Sequence, residues 1–297
     1  MSIIERALEK LQQGTDGNAN RGSGRHGARR EPLADQLARA AQRPQEAKAP
    51  TEIIQVSVEQ LRAGGVLPPE DHAGALTDQF RRIKWPILES VAERNEDGSP
   101  NNRVMVTSSI AGEGKTFTSF NLAHSISREK DVSVLLVDAD VAKRHATELF
   151  GLQERQGLTD SIADPALDPD SLVLGTNIQG LSVLPAGRRT NSAPELFASQ
   201  RMAEIIDRLG RANPHRVVLF DSAPLLATNE SQVLARIVDQ IVMVVRAEVT
   251  TQPMVLEAIG LLDKTKQIRC VLNQARASRM TEYYYGYGYY PHDSRQE

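Results

Sequence analysis

The sequence predicts an α/β fold: a mainly parallel sheet with helices on both faces, preceded by a disordered N-terminal linker and followed by a tyrosine-rich tail. Three observations carry this expectation. From Arg103 onward, short apolar runs alternate with longer stretches of helical periodicity. The runs are almost unbroken in apolar residues, as strands covered on both faces must be. Between the first run and the helical stretch after it lies a glycine-bearing turn that ends in Gly114-Lys115-Thr116.

Taken in order, Ser2-Ile3-Ile4-Glu5 reads as a capping box that opens a helix over residues 1–13, with Ile3, Ile4, Ala7, Leu8 and Leu11 on one face. Two readings are open for it: a helix lying free in solvent, or a docking peptide for another protein. Residues 14–50 are rich in Gly, Asn, Arg, Ala and Pro and read as a disordered linker. Residues 51–102 form an extension in which order returns near Ile53 and Leu67-Pro68-Pro69 marks a turn. A helix is predicted from about Asp71, with Leu76, Phe80, Ile83 and Ile87 on one side and Pro86 bending or interrupting it. The main domain is expected over 103–280. Its strands are placed at Val104–Thr107, Val132–Asp138, Leu181–Leu184, Val217–Asp221, Ile241–Arg246 and Ile268–Asn273. Residues 281–297 form the tail.

Composition excludes several classes. A net charge of −3 gives no sign of nucleic-acid binding. Residues 1–50 carry nine Lys/Arg against six Asp/Glu, a local surplus that suits a solvated linker, an acidic partner or anionic lipid. One cysteine, Cys270, leaves no internal disulfide and fits a reducing compartment. The six histidines are scattered without metal-ligand spacing. The densest apolar run, Ile241 to Val245, falls far short of the roughly 20 residues of a spanning helix. The expected location is therefore cytoplasmic, with any membrane attachment peripheral or through a partner.

The glycine turn is a candidate P-loop. The stretch Ser109, Ile110, Ala111, Gly112, Glu113, Gly114, Lys115, Thr116 and Phe117 follows a strand and opens a helix, the context in which backbone N–H groups and the helix N-terminus close on phosphate. Lys115 is placed to bridge β- and γ-phosphates and Thr116 to ligate Mg²⁺. Ser109 stands where the commonest pattern has glycine. Asp138 and Asp140 end one strand and Asp221 another, so the three carboxylates are expected to surround a metal, with Asp221 as the Walker B acid. All six tyrosines lie in one short stretch as Tyr283, Tyr284, Tyr285, Tyr287, Tyr289 and Tyr290. They read either as a sticky low-complexity segment or as phosphate acceptors for a neighbouring subunit's ATP site.

Together, the P-loop, the Asp138/Asp140 pair and Asp221 resemble the bacterial tyrosine kinases that regulate polysaccharide export, and most closely their soluble exosortase-associated subgroup. Phe80-Arg81-Arg82-Ile83-Lys84, Leu149-Phe150-Gly151-Leu152, Leu184-Pro185-Ala186-Gly187 and Pro194 to Ser199 continue the match, which is collinear over roughly residues 70 to 290. The resemblance implies an ATP- and Mg²⁺-dependent autokinase acting in trans within a homo-oligomeric ring, together with a membrane-bound polysaccharide co-polymerase. It implies that Asp138 orients the tyrosine hydroxyl and that Asp140 supports the metal, or the reverse. Asn273 matches a position that contacts adenine, with strand-end capping as the rival reading. The ring-forming motif falls on Asp78, Arg81 and Lys84, where both end residues differ from the family's Glu and Arg. Ala142 and Arg144 depart from the Arg and Pro common after the Asp pair. Ile110 stands where partitioning and division-site ATPases, the alternative class, carry a signature lysine.

Overall fold

The structure, a computed structural model, describes Pro50 and residues 52–67, 73–95 and 97–276. The N-terminal helix, nearly all of the linker and the tyrosine tail lie outside the described residues.

Eight strands form one sheet: β1 (Ile53–Ile54), β2 (Arg103–Ser108), β3 (Ser133–Ala139), β4 (Leu174–Thr176), β5 (Leu181–Leu184), β6 (Arg216–Ser222), β7 (Gln240–Arg246) and β8 (Gln267–Asn273). Their order is β1-β4-β5-β3-β6-β2-β7-β8. Every pairing is parallel except β4 with β5. The six predicted strands are all present, each within a residue or two of its expected limits. β1 and β4 escaped the sequence reading because two or three residues make no apolar run.

Alternate residues of the central strands enter two cores. Met105, Leu135, Val137, Val218, Phe220 and Met243 face one side. That side is covered by α5 (Leu158–Ala163), α6 (Ala193–Phe197), α7 (Gln200–Arg211), α8 (Asn229–Ile237) and α9 (Gln252–Gly260). Val104, Val106, Val134, Leu136, Leu219 and Val244 face the other. Over them lie α1 (Val58–Ala63), α2 (Ala73–Ala92), α3 (Lys115–Ser127) and the residues just after α4 (His145–Leu149). Burial on both faces is why the strands read as continuous apolar runs.

Pro86 does not interrupt α2, which runs unbroken across it. The Pro86 carbonyl accepts from Arg269 Nη2 at 2.8 Å and from Ser90 Oγ at 3.1 Å. Arg269 also donates to Gln240 Oε1 on β7, so one guanidinium ties α2 to the β7–β8 side of the sheet. These contacts hold the helix at its proline against the sheet. On its other flank α2 meets α3. Lys84 is 5% exposed, with Nζ 2.8 Å from Ser125 O and 2.6 Å from Glu129 Oε1. Lys84, one of the residues expected at a subunit contact, turns its ammonium into its own chain here. Asp78 and Arg81 are exposed and paired with each other at 3.1 Å.

Replacing Lys84 by Met removes a charge-assisted hydrogen bond and leaves Glu129 without this partner. We expect a loss of about 1.5–3 kcal/mol, read as a lower urea midpoint at unchanged m-value. An unaltered midpoint would show that Lys84 does not hold α2 on α3.

Candidate nucleotide site

The parallel strands deliver their C-terminal ends to one edge of the sheet, and the candidate residues sit there. β2 ends at Ser108 and α3 begins at Lys115. In the loop between them Gly112 has φ 83° and Gly114 φ 93°, a left-handed conformation that glycine adopts freely. A Cβ at Gly114 would also lie 2.0 Å from Asn273 Nδ2, so the Asn273 side chain would have to move.

Glu113 is fully buried. Its Oε2 accepts from Ile110 N at 2.7 Å, and its Oε1 accepts from Arg246 N at 3.1 Å and from the Thr250 hydroxyl. The Glu113 side chain is therefore a strut that fixes the loop to the end of β7. Asn273 completes the strut from β8, with Nδ2 donating to Glu113 O at 2.8 Å and Oδ1 accepting from Gln274 N. Asn273, the residue expected at adenine, holds the loop backbone in the ligand-free chain. Ser109 is buried with its hydroxyl unpartnered, Ala111 is exposed, and Phe117 packs at a tilt on Phe80 with ring centroids 6.1 Å apart.

Lys115 and Thr116 line a cleft of about 420 Å³ together with Gly112, Gly114, Asp140 and Lys143. Gly64, Gly65 and Val66, which follow α1, form part of its wall, and Val66 O accepts from Asn121 Nδ2 on α3 at 2.7 Å. The sequence carried no signal for this wall. Burial depresses the Lys115 pKa, while Asp221 and Asp140 act to hold it up.

Asp138 and Asp221 are Cα partners in adjacent parallel strands, so two carboxylates are buried side by side. Desolvation raises Asp138 to about 7, with Asp221 adding to the rise and hydrogen bonds from Thr147 opposing it. Thr147 donates both its N–H and its hydroxyl to Asp138 Oδ2 at 2.7 Å. Desolvation raises Asp221 to about 6 against the pull of Thr116, Lys115 and Ser119. Asp221 Oδ1 accepts from Ser119 Oγ at 3.0 Å, and Oδ2 is buried with no hydrogen-bond partner. Asp140 lines the cleft and donates its N–H to Asp138 Oδ1 at 3.2 Å.

Three carboxylates around one metal are not what the structure builds: among the described residues no group of three or more His, Cys, Asp or Glu is arranged to hold an ion. Asp138 is engaged with Thr147 instead. The orphaned Asp221 Oδ2, next to Thr116, still fits a cation such as Mg²⁺, which takes its remaining ligands from phosphates and water. Thr147 and Ser119 were missed as site residues because nothing in their local sequence marks them.

Both acids keep their protons longer in the folded chain than in the unfolded one. The stability they contribute is complete below about pH 4 and is lost as pH rises through about 6 to 7. We expect Asp221→Asn to stabilise the ligand-free chain by about 1–3 kcal/mol at pH 8 and by much less at pH 5. Thermal melts of both proteins across this range test it. Equal differences at the two pH values would contradict it.

Residues 104–282 match the CobQ/CobB/MinD/ParA nucleotide binding domain model. Tyrosine-protein kinase YwqD of Bacillus subtilis is 30% identical over 213 residues, which are 71% of this chain and 86% of its own length. Tyrosine-protein kinase wzc of Salmonella typhi is 31% identical over 198 residues, 66% of this chain but 27% of that longer protein. The solved VpsO kinase domain aligns at a TM-score of 0.57 and 27% identity, covering 70% of this chain and 100% of its own. Among the described residues no helix is long and apolar enough to cross a membrane. The glycine loop, the acidic strand ends and these matches agree: the chain belongs to the bacterial tyrosine-kinase family, built on the MinD/ParA-type nucleotide-binding fold.

Proposed function

We propose that the chain is an ATP- and Mg²⁺-dependent protein-tyrosine autokinase that phosphorylates Tyr283, Tyr284, Tyr285, Tyr287, Tyr289 and Tyr290. The observation that carries this reading is where the tail is rooted. Asn273, which ends β8, holds the P-loop carbonyl of Glu113 at 2.8 Å, so the chain leaves the fold beside the nucleotide loop. From Asn273 to Tyr283 is ten residues, a reach of roughly 33–36 Å when extended. That span serves a neighbouring subunit's cleft as well as the chain's own.

In the reaction the tyrosine Oη attacks the γ-phosphorus and the bond to the β–γ bridging oxygen breaks. ADP leaves, and the phenolic proton passes to the Asp138/Asp140 pair. Lys115 and the loop amides hold the phosphates, and catalysis is mostly positioning and charge neutralisation. Thr116, Asp221 and Asp140 are the residues that would hold Mg²⁺, which supplies charge neutralisation on the phosphates when bound. Asp140 faces the cleft and Asp138 lies behind it, raised to about 7, a value suited to proton exchange near neutrality.

Transfer is assigned in trans within a homo-oligomer. The activator is a membrane-bound polysaccharide co-polymerase, with residues 1–13 and the basic linker as its docking elements at the membrane periphery. The output is control of exopolysaccharide chain length or export. Several phosphates, each adding roughly −1.5 to −2 charge, would repel one another and open a packed assembly.

Incubation with ATP and Mg²⁺, followed by phosphotyrosine mapping, tests the reading. Phosphate should appear within Tyr283–Tyr290 and fall at least 100-fold in Lys115→Met and in Asp138→Asn. Mixing Lys115→Met with a chain whose six tail tyrosines are Phe should label the Lys115→Met tail if transfer is in trans. Release of inorganic phosphate with no phosphotyrosine, with or without an activator fragment, would instead favour a partitioning-type ATPase switch.

A further inference from the structure

The loop after β5 carries two arginines that the nucleotide chemistry leaves unused. Its first part is rigid. Pro185 O accepts from Leu158 N and Ala186 O from Thr159 N, both at 2.9 Å, while Ala186 N donates to Thr147 Oγ1, the hydroxyl that holds Asp138. Arg188 is fixed by its backbone on both sides: its N–H donates to Asp160 Oδ2 at 3.1 Å and its carbonyl accepts from Thr159 Oγ1 at 2.9 Å. From Arg188 to Ser192 the chain is exposed.

The two guanidiniums themselves are only loosely engaged. Arg188 Nε lies 3.6 Å from Asp160 Oδ1 with 75% of its side chain exposed. Arg189 Nη2 lies 3.5 Å from Glu148 Oε1 with 65% exposed. Glu148 lines the nucleotide cleft, as does the exposed Lys143. Exposed ion pairs this long contribute little and exchange readily for a better anion. A phosphate monoester is such an anion, because it accepts two parallel N–H bonds from one guanidinium.

We propose that Arg188 and Arg189 form a phosphotyrosine-binding rim beside the Glu148 wall of the cleft, and that its ligand is the phosphorylated tyrosine tail of this chain or of a second copy. This deepens the autokinase reading and rests on it. Residues 283 to 292 contain no Asp, Glu, Lys or Arg, so before phosphorylation that stretch offers the rim no charge. After the first transfer it carries a dianionic group, which Arg188 and Arg189 hold while the next tyrosine enters. Phosphorylation of the cluster is then processive: a tail that has received one phosphate receives the rest before it leaves.

The test is fluorescence anisotropy of labelled peptides spanning residues 281–292, titrated with phosphatase-treated full-length protein without ATP. The peptide phosphorylated at Tyr285 should bind at least tenfold tighter than the unmodified one. In Arg188→Ala/Arg189→Ala the ratio should fall to within about twofold, with an unchanged thermal midpoint to show that the loop still folds. Equal binding of the two peptides, or a ratio that survives the double substitution, would overturn the proposal. Equally tight binding of an aspartate-bearing peptide of matched charge would overturn the phosphotyrosine assignment. In a companion assay with ATP, intact-mass spectra should show mainly unmodified and multiply phosphorylated chains in the parent protein, and singly phosphorylated chains first in the double variant. The peptide titration needs no catalysis, so loss of autophosphorylation with peptide binding intact would count against the kinase reading alone.

Discussion

The constraint on which the site depends is the burial of two carboxylates in register on neighbouring parallel strands. Asp138 and Asp221 face each other across β3 and β6 at zero or near-zero exposure. Such a pair is expensive away from water unless it is protonated, hydrogen-bonded or met by positive charge. The surrounding residues can be read as answers to that cost. Thr147 gives Asp138 two hydrogen bonds, Ser119 gives Asp221 one, and Lys115 brings an ammonium close enough to lower the Asp221 pKa. What remains unanswered is Asp221 Oδ2. The ligand-free site thus keeps one buried carboxylate oxygen without a partner, at a position next to Thr116 that fits a cation.

The same edge of the sheet also stiffens the phosphate loop from within. Glu113 and Asn273 are 160 residues apart, yet the Asn273 side chain closes on the Glu113 carbonyl while the Glu113 carboxylate gathers Ile110, Arg246 and Thr250. Loop amides held this way are already ordered before phosphate arrives, so less entropy is lost on binding. Because Asn273 is also the last residue of the last strand, the root of the tyrosine tail and the phosphate loop share one rigid junction.

Much of this was legible in the sequence, for reasons that can be named. β2, β3, β6, β7 and β8 announce themselves because two covered faces demand continuous apolar runs, and the loop at Gly112 to Thr116 follows from its strand-to-helix setting. The parts that stayed hidden depend on distant partners. Lys84 was read as one charge of a ring-forming motif, and only the packing of α2 on α3 brings it against Ser125 O and Glu129. Glu113 sat inside a nucleotide motif, and nothing there shows that its carboxylate reaches Arg246 on β7 and Thr250 in the turn after it as well as Ile110 in the loop. Pro86 was read as bending or interrupting its helix, and the sequence does not show the packing that carries α2 unbroken across it. Thr147 and Ser119 are ordinary hydroxyls until the fold sets them beside Asp138 and Asp221.

The most direct measurement of the central claim is the number of protons exchanged when Mg²⁺ and ADP bind, obtained by titration calorimetry at pH 6.5 in buffers of different ionisation enthalpy. With Asp221 at about 6 and Asp138 at about 7 in the ligand-free chain, arrival of the metal should strip protons from the pair. The account predicts a net release of a sizeable fraction of a proton per site, shrinking toward zero at pH 8.5 and lost in Asp221→Asn. No release at pH 6.5, or a release unchanged in Asp221→Asn, would contradict it: the buried acids would then not be the site that the nucleotide completes.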